Sequence, residues 1–147
     1  MLTTIKELSD IINKEFDAHT NIEYSTKYLN EYSGNDWTKF VKFNDYKYNR
    51  IELFRNDNFE ILLLCWNENQ ETIIHNHPKN GCIYKVVQGE LLEKKYKSLV
   101  DEDEYTQSKY SNKDQSSYID DLIGVHKISS NQKSVSIHIY SPPLFYK

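Results

Sequence analysis

The sequence predicts a mainly β fold, a sandwich or jelly-roll-like barrel with two or three N-terminal helices packed on it. From residue 46 onward, short apolar or alternating runs are separated by polar turns, which is typical of such β architectures. Before residue 44, apolar residues recur at helical spacing. The 147 residues are enough for one domain with a buried core. We therefore expect a single domain, 1–147, with a helical part at 1–43 and a β-barrel at 44–147.

Three helical elements are predicted in the first part of the chain. Thr4 and Glu7 have the spacing of a capping box, so the first helix begins there. A second helix is predicted over residues 23–32, and the Ser-Gly pair at 33–34 ends it. Asp36 is predicted to cap a short helical turn. The apolar stripe of the first helix comprises Ile5, Leu8, Ile11, Ile12 and Phe16, and the turn carries Trp37, Phe40 and Val41.

Eight strands are predicted in the remainder of the chain. They cover residues 46–54, 59–66, 72–77, 82–87, 90–96, 118–119, 123–128 and 134–140. The run at 59–66 is almost continuously apolar, which indicates a buried strand. The stretch 98–117 is polar and charged, so we expect it to form an exposed excursion between strands.

Composition excludes several classes of function. The formal net charge of -4 and a pI near 5.7 give no electrostatic footprint for nucleic acid or an anionic membrane. No apolar run approaches the roughly 20 residues that span a bilayer. The N-terminus lacks a signal-peptide layout, and two cysteines make no disulfide framework. We therefore expect a cytoplasmic monomer with no nucleic-acid or membrane partner.

A candidate metal site begins with His75 and His77, which are separated by one residue. Alternate side chains of a strand share a face, so both imidazoles can point into one cavity. His126 lies in another predicted strand and is a candidate third ligand. Such a set suits iron(II), zinc, nickel or copper, and ligand type alone does not choose among them. The alternative is that the pair are polar strand residues without a metal and that His126 is a hydrogen-bonded barrel histidine.

The last strand has one polar and one apolar face. Ser136, His138 and Tyr140 alternate with Val135, Ile137 and Ile139. If the apolar face packs on the helices, the polar face points into a cavity and can form a hydrogen-bonded relay that ends in a phenol. The alternative is an ordinary amphipathic strand whose polar face is in water.

The first strand has a comparable alternation. Tyr46, Tyr48, Arg50 and Glu52 share one face. An arginine beside a tyrosine in a cavity is suited to bind a carboxylate, because guanidinium can bind it through two parallel hydrogen bonds. The alternative is an exposed Arg50 paired with Glu52.

Taken together, these motifs resemble the thiol dioxygenase family of the cupin superfamily, and within it the cysteine dioxygenases. The similarity runs from about residue 29 to residue 143. Its most specific parts are the closing Ser-x-His-x-Tyr-Ser-Pro-Pro run and the His-x-His-x4-Cys run. The matching segments are Tyr46-Lys47-Tyr48-Asn49-Arg50, Leu63-Leu64-Cys65-Trp66, His75-Asn76-His77, Cys82, Gln88-Gly89, Ile123-Gly124-Val125-His126 and Ser136-Ile137-His138-Ile139-Tyr140-Ser141-Pro142-Pro143.

The resemblance implies a cupin-type barrel and a non-haem iron enzyme. His75, His77 and His126 would bind iron(II), Arg50 would bind the substrate carboxylate, and Tyr48 would line the same pocket. The implied reaction adds both atoms of O2 to the sulfur of L-cysteine and gives cysteine sulfinic acid. A thiol bound to such an ion would lose its proton readily.

The same resemblance gives roles to the last strand. Tyr140 would be the phenol near the metal, and Ser136 and His138 would orient it. Cys82 would be the cysteine that animal-type members join to this tyrosine by a thioether bond, although a buried free thiol is equally open. Gly81 departs from the family pattern, because no side chain precedes Cys82 to shape that corner.

Alternative functions stay open at this point. Another carboxylate-bearing thiol, such as 3-mercaptopropionate, is a possible substrate, whereas Arg50 argues against cysteamine. A non-catalytic metal-binding barrel is the alternative from a different class. Many family members continue for some tens of residues past the Pro-Pro pair, whereas this sequence stops at Lys147. We therefore expect differences in substrate affinity and selectivity more than in the metal site.

Overall fold

The computed structural model describes residues 2–99 and 105–144. Within these residues, two α-helices and two short 3₁₀ helices precede eight strands. The helical elements are α1 (Ile5–Glu15), the 3₁₀ helix Ile22–Ser25, α2 (Thr26–Glu31) and the 3₁₀ helix Asp36–Phe40. The strands are β1 (Asn49–Arg55), β2 (Glu60–Trp66), β3 (Cys82–Gln88), β4 (Glu90–Tyr96), β5 (Tyr105–Asn112), β6 (Ser116–Ile119), β7 (Val125–Ser130) and β8 (Ser134–Tyr140).

Helix α1 begins where its capping box predicts. The Thr4 hydroxyl accepts a hydrogen bond from the Glu7 backbone N–H at 3.1 Å, and Ile5, Leu8 and Ile12 of the apolar stripe are buried. The prediction for Asp36 is wrong, because its carboxylate accepts a hydrogen bond from Ile5 N at 2.8 Å instead of capping its own 3₁₀ helix. This carboxylate therefore stabilises the N-terminus of α1, where the helix dipole favours negative charge. None of the helices in the described residues has the length and apolar character needed to cross a bilayer.

The second predicted helix is divided into two elements. Asn21 accepts a hydrogen bond from Glu23 N at 2.8 Å, which starts a 3₁₀ turn before the regular helix α2 begins at Thr26. A short polar side chain that bonds the backbone two residues on favours such a tight start.

Strand β1 is shorter than predicted, because a bend precedes it. Asn44 accepts a hydrogen bond from Tyr46 N at 2.8 Å, and Tyr46 is 96% exposed. Tyr46 therefore does not share the inward face with Arg50. The pairing of β1 with β2 shifts after Glu52, which is exposed.

The prediction of a strand at residues 72–77 is wrong. Instead of a regular strand, the described residues show two isolated bridges here, Glu71 to Ser129 and His75 to His126, and a hydrogen bond from Thr72 N to the Ile128 carbonyl at 2.8 Å. Strand β7 also begins later than predicted. The Ile123 N–H closes a turn on the Asp120 carbonyl at 3.1 Å, and Gly124 follows with φ +145.

The predicted excursion at 98–117 contains two strands. β5 pairs with β4 along its length, although most of its side chains are exposed, and β6 begins at Ser116. β5 buries little apolar surface and is held by backbone hydrogen bonds to β4. The sequence therefore gave no apolar pattern from which β5 could be predicted. Residues 100–104 of this stretch lie outside the described residues.

The strands of the described residues form two sheets, in the orders β1-β2-β8-β3-β6 and β5-β4-β7. One face of the larger sheet packs on the helices, with Ile61, Leu63, Val135, Ile137 and Ile139 in that core. The other face meets the smaller sheet, with Leu62, Leu64, Trp66, Leu91 and Ile128 between them. The two-residue alternation of β2 and β8 thus places their second set of side chains in the space between the sheets, where the candidate site lies.

Candidate active site

The structure brings His75, His77 and His126 together between the two sheets. One ring nitrogen from each can be chosen so that all three lie within 4.8 Å of one another. His77 and His126 are buried, at 2% and 1% exposure. A pair of backbone hydrogen bonds joins His75 to His126, with N···O distances of 2.9 and 3.2 Å. This bridge, rather than a regular strand, aligns the histidine pair with β7.

Hydrogen bonds determine which ring nitrogen faces the centre. His75 Nδ1 lies 2.8 Å from the Ile73 carbonyl oxygen, which can only accept, so Nδ1 carries the proton. His126 Nδ1 lies 2.7 Å from the Glu93 carboxylate and is protonated for the same reason. The two Nε2 atoms therefore present lone pairs to each other at 2.9 Å. Two lone pairs at this distance repel unless a cation lies between them.

His77 completes the arrangement. Its backbone N–H and its Nδ1 both approach Asp121 Oδ1, at 2.8 and 3.3 Å. Its buried Nε2 has no hydrogen-bond partner within the described part of the chain. Such an atom is costly to bury unless something binds it. The three Nε2 atoms thus fit a metal ion, for which neutral imidazole is a common ligand.

The pKa values agree with neutral ligands. Burial, with His126 as the second cause, lowers the pKa of His75 to about 4. Burial and the neighbouring His126 and His75 also lower the pKa of His77 far below its ordinary value. Burial alone would raise the pKa of Glu93, but the hydrogen bond and charge of His126 outweigh it and the pKa falls. At neutral pH His75 and His77 are therefore uncharged, and Glu93 is ionised.

A cavity of about 170 Å³ lies next to His75. This is smaller than the roughly 300–1,000 Å³ of pockets for drug-sized ligands, so it suits a small molecule. Arg50 lies on its wall, half-buried at the start of β1, and Tyr48 stacks on Trp66 with ring centroids 4.5 Å apart. Burial raises the pKa of Tyr48, and Arg50 opposes the rise. The cavity is lined by Tyr48, Arg50, Leu64, Thr72, Ile73, His75, Ile128, His138 and Tyr140.

The polar face of β8 forms a chain of hydrogen bonds. Trp66 Nε1, which can only donate, gives its proton to Ser136 Oγ at 3.0 Å. Ser136 lies 2.8 Å from His138 Nε2, and His138 Nδ1 lies 3.1 Å from the Tyr140 hydroxyl. Burial, and then the nearby His126 and Arg50, keep the pKa of His138 well below its ordinary value, so its ring is neutral. Both contacts join a hydroxyl to a ring nitrogen, so the neutral imidazole donates in one of them and accepts in the other.

Cys82 is fully buried and is the direct cross-strand partner of Tyr140. Burial and Glu93 raise the pKa of its thiol well above the ordinary value, although a hydrogen bond from Tyr140 acts in the opposite direction. The preceding Gly81 has φ +90, and a Cβ there would lie 2.7 Å from the Tyr118 ring. Glycine therefore lets the chain turn into β3 against that ring.

Sequence reasoning missed three residues that hold the histidines. Glu93 and Asp121 accept hydrogen bonds from His126 and His77, and Ser117 donates to Glu93 Oε1 at 2.9 Å. Glu93 did carry a signal, because it shares a strand face with the apolar Leu91. Its charged neighbours concealed this pattern. Asp121 and Ser117 gave no such signal, because their contacts with His77 and Glu93 form between segments that are far apart in the sequence.

The two sheets with histidines between them define a metal-binding protein of the cupin fold. An RmlC-like cupin protein from Desulfovibrio desulfuricans superposes with a TM-score of 0.60 at 17% identity, covering 76% of this chain and 98% of that one. A double-stranded β-helix protein from Klebsiella pneumoniae superposes with a TM-score of 0.61 at 12% identity, covering 75% and 90%. These similarities confirm the predicted fold class, although the described strands form two facing sheets rather than a closed barrel.

The family is shown by sequence. A family model described as "Cysteine dioxygenase type I" matches residues 1–146, and the chain belongs to this family. "Cysteine dioxygenase type 1" of Danio rerio is 33% identical over 155 residues, which cover 95% of this chain and 75% of the relative. The protein of the same name from Rattus norvegicus is 32% identical over 154 residues, with the same coverage. The protein is therefore an oxygenase of the thiol dioxygenase type.

Proposed function

We propose that the protein is an iron(II)-dependent dioxygenase that converts L-cysteine and O2 to cysteine sulfinic acid. One observation carries the proposal. Three histidines, each with a ring nitrogen within 4.8 Å of the other two, lie beside a small cavity whose wall holds a guanidinium group. Family membership supports the reaction type.

His75, His77 and His126 would hold the iron, each through Nε2. When bound there, iron(II) would supply a Lewis acid that lowers the pKa of a coordinated thiol and a redox centre for dioxygen. Because all three ligands are neutral, the ion would keep its full charge. Overall, the thiol sulfur is oxidised to the sulfinic acid and both atoms of O2 are transferred to it.

Arg50 would bind the substrate carboxylate. It lies on the cavity wall with His75, so a small thiol acid could reach both groups at once. Holding the substrate at two points would align its sulfur and raise the effective concentration of the reacting groups. The same reasoning applies to 3-mercaptopropionate, whereas cysteamine has no carboxylate to bind.

Tyr140 would donate its hydroxyl proton into the cavity. Its hydroxyl lies 3.1 Å from His138 Nδ1, and Ser136 holds the other side of that ring. These contacts would hold the Tyr140 side chain in one orientation at the cavity wall. A hydrogen bond from this phenol would orient a reacting oxygen or the substrate carboxylate.

Cys82 and Tyr140 would form a thioether bond in the active enzyme. Their positions opposite each other on β3 and β8 place the two side chains in direct contact range. The bond would form between Sγ and a ring carbon, and O2 would take up the two hydrogens lost from the thiol and the ring.

The decisive experiment is oxygen consumption by iron(II)-loaded protein with L-cysteine, 3-mercaptopropionate and cysteamine. We expect turnover with L-cysteine, with one cysteine sulfinic acid formed per O2 consumed. The matched control is His126→Ala, which should lose most of its iron and its activity. If iron-loaded protein bound no thiol and consumed no O2 with any of the three, the proposal would be wrong. Gel filtration and fractionation would check the further predictions of a monomer and of a cytoplasmic location.

A further inference from the structure

Glu93 is an unusual carboxylate because it is buried and both of its oxygens are occupied. Its side chain on β4 is 1% exposed. Oε2 accepts a hydrogen bond from His126 Nδ1 at 2.7 Å, and Oε1 accepts one from Ser117 Oγ at 2.9 Å. Among the described residues His126 is its only salt-bridge partner, and Lys95 acts on it as a more distant positive charge.

Neither of the hydrogen-bond partners of Glu93, an imidazole and a hydroxyl, is a permanent counter-charge. Burying a charge without one is expensive, so such a group is retained where a cation compensates it. The Nε2 atom of the same imidazole faces the candidate metal centre. A cation bound there would lie on the far side of the His126 ring from Glu93 and would supply that charge.

We propose that Glu93, held in place by Ser117, is a positioning residue that sets the metal affinity of the centre through His126; this rests on the proposed function. The hydrogen bond fixes the His126 tautomer that leaves Nε2 free to bind metal. The negative charge also makes that nitrogen a stronger donor, as carboxylate partners of metal-binding histidines do.

The other two histidines have weaker partners. His75 donates to a neutral carbonyl, that of Ile73. Asp121, the partner of His77, is 54% exposed at its side chain and makes a longer contact of 3.3 Å. Solvent screens an exposed charge, so Asp121 affects the centre less than Glu93 does. Glu93 therefore contributes most among the three partners.

The test measures the dissociation constant for iron(II), without oxygen, by competition with a chromophoric chelator. Glu93→Gln keeps the side-chain shape but removes the charge, and we expect affinity to fall about 10- to 100-fold. Asp121→Asn should cause a smaller loss. Glu90→Gln is the matched control, because it makes the same chemical change three residues away on the opposite face of β4, and its affinity should equal that of the parent.

Two further measurements separate positioning from folding. The visible absorption spectrum of the cobalt(II)-loaded protein reports ligand geometry directly, and it should change in Glu93→Gln. Thermal unfolding of the metal-free proteins shows whether the fold is intact. If Glu93→Gln does not fold, Ser117→Ala still tests the idea, because it frees Glu93 to move and should weaken iron(II) binding by a smaller factor.

The outcomes distinguish this inference from the proposed function. The inference would be overturned if a folded Glu93→Gln protein kept the iron(II) affinity and the cobalt(II) spectrum of the parent. A folded Ser117→Ala protein with both parental properties would overturn it in the same way if Glu93→Gln does not fold. Either result would leave the proposed function standing. A parent protein that bound neither metal would overturn both. Weaker binding with an altered spectrum, in a protein that unfolds as the parent does, supports the positioning role.

Discussion

Replacing Arg50 by alanine tests the substrate assignment most directly. The side chain is half-buried on β1 and lies on the wall of a cavity of about 170 Å³ that also includes His75. Removing the guanidinium would leave a substrate carboxylate in this confined space without a charged partner. We therefore expect a large loss of L-cysteine turnover and little change in the fold.

The size of the loss follows from the burial of Arg50. Truncating one partner of a buried charge pair costs about 2–5 kcal/mol, and a half-buried residue at an open cavity belongs in the lower part of that range. A cost of about 2–3 kcal/mol lowers kcat/KM roughly 30- to 150-fold. Arg50→Lys should recover part of this, because lysine restores the charge but not the two parallel hydrogen bonds.

The assay is steady-state oxygen consumption with L-cysteine and, separately, with cysteamine. The loss should be specific to L-cysteine, since cysteamine has no carboxylate for Arg50 to bind. Arg55→Ala is the control on the same strand, because Arg55 is exposed and pairs with Glu52 at 3.4 Å. If Arg50→Ala kept the parental kcat/KM for L-cysteine, the carboxylate would be bound elsewhere and the reasoning would fail.

Three other predictions concern the interior of the protein. After incubation with iron, cysteine and air, the intact mass of the protein should be lower by two hydrogen atoms than the mass calculated for free side chains. Cys82→Ser should abolish this difference. A protein that never shows the lower mass would contradict a Cys82–Tyr140 bond. Gly81→Ala should destabilise the fold by about 1–3 kcal/mol in urea unfolding, because φ +90 strains a residue with a Cβ; an unchanged midpoint would show that the turn adapts. The pKa of His138 is depressed in the folded state, so its neutral form contributes stability that is present above about pH 6.5 and lost as the pH falls. Between pH 7 and 5, the free energy of unfolding of the metal-free parent should fall more than that of His138→Gln, by at most about 1.4 kcal/mol per pH unit for one proton. If the free energies of unfolding of the two proteins changed in parallel with pH, the depressed pKa would be refuted.

The fold was predictable wherever side chains alternate between apolar and polar. β2 and β8 are both fully buried, and their alternate residues serve the two cores, as the sequence patterns indicated. The prediction was wrong for residues 72–77 and incomplete for β5. The former segment is held by isolated bridges, and the latter is an exposed strand held by its backbone. Neither arrangement leaves a periodic pattern of apolar side chains.

The candidate site was predictable in its members but not in its chemistry. The spacing of His75 and His77, and the resemblance of the surrounding motifs, identified the residues without showing which ring nitrogens face the centre. That depends on Ile73, which lies two residues before His75, and on Glu93 and Asp121, which lie 33 and 44 residues from the histidines they contact. Hydrogen bonds across the two long separations are formed only in the folded protein.

The sequence by itself determined the two-residue alternation of β8, and therefore that Ser136, His138 and Tyr140 share one face. That period is a local property of the backbone. Only the tertiary structure decided that this face lies between two sheets, that Trp66 donates a hydrogen bond to Ser136 and that Glu93 supports His126. These facts depend on which strands pair and which sheets pack together, and contacts between distant segments are not encoded in the period of any one strand.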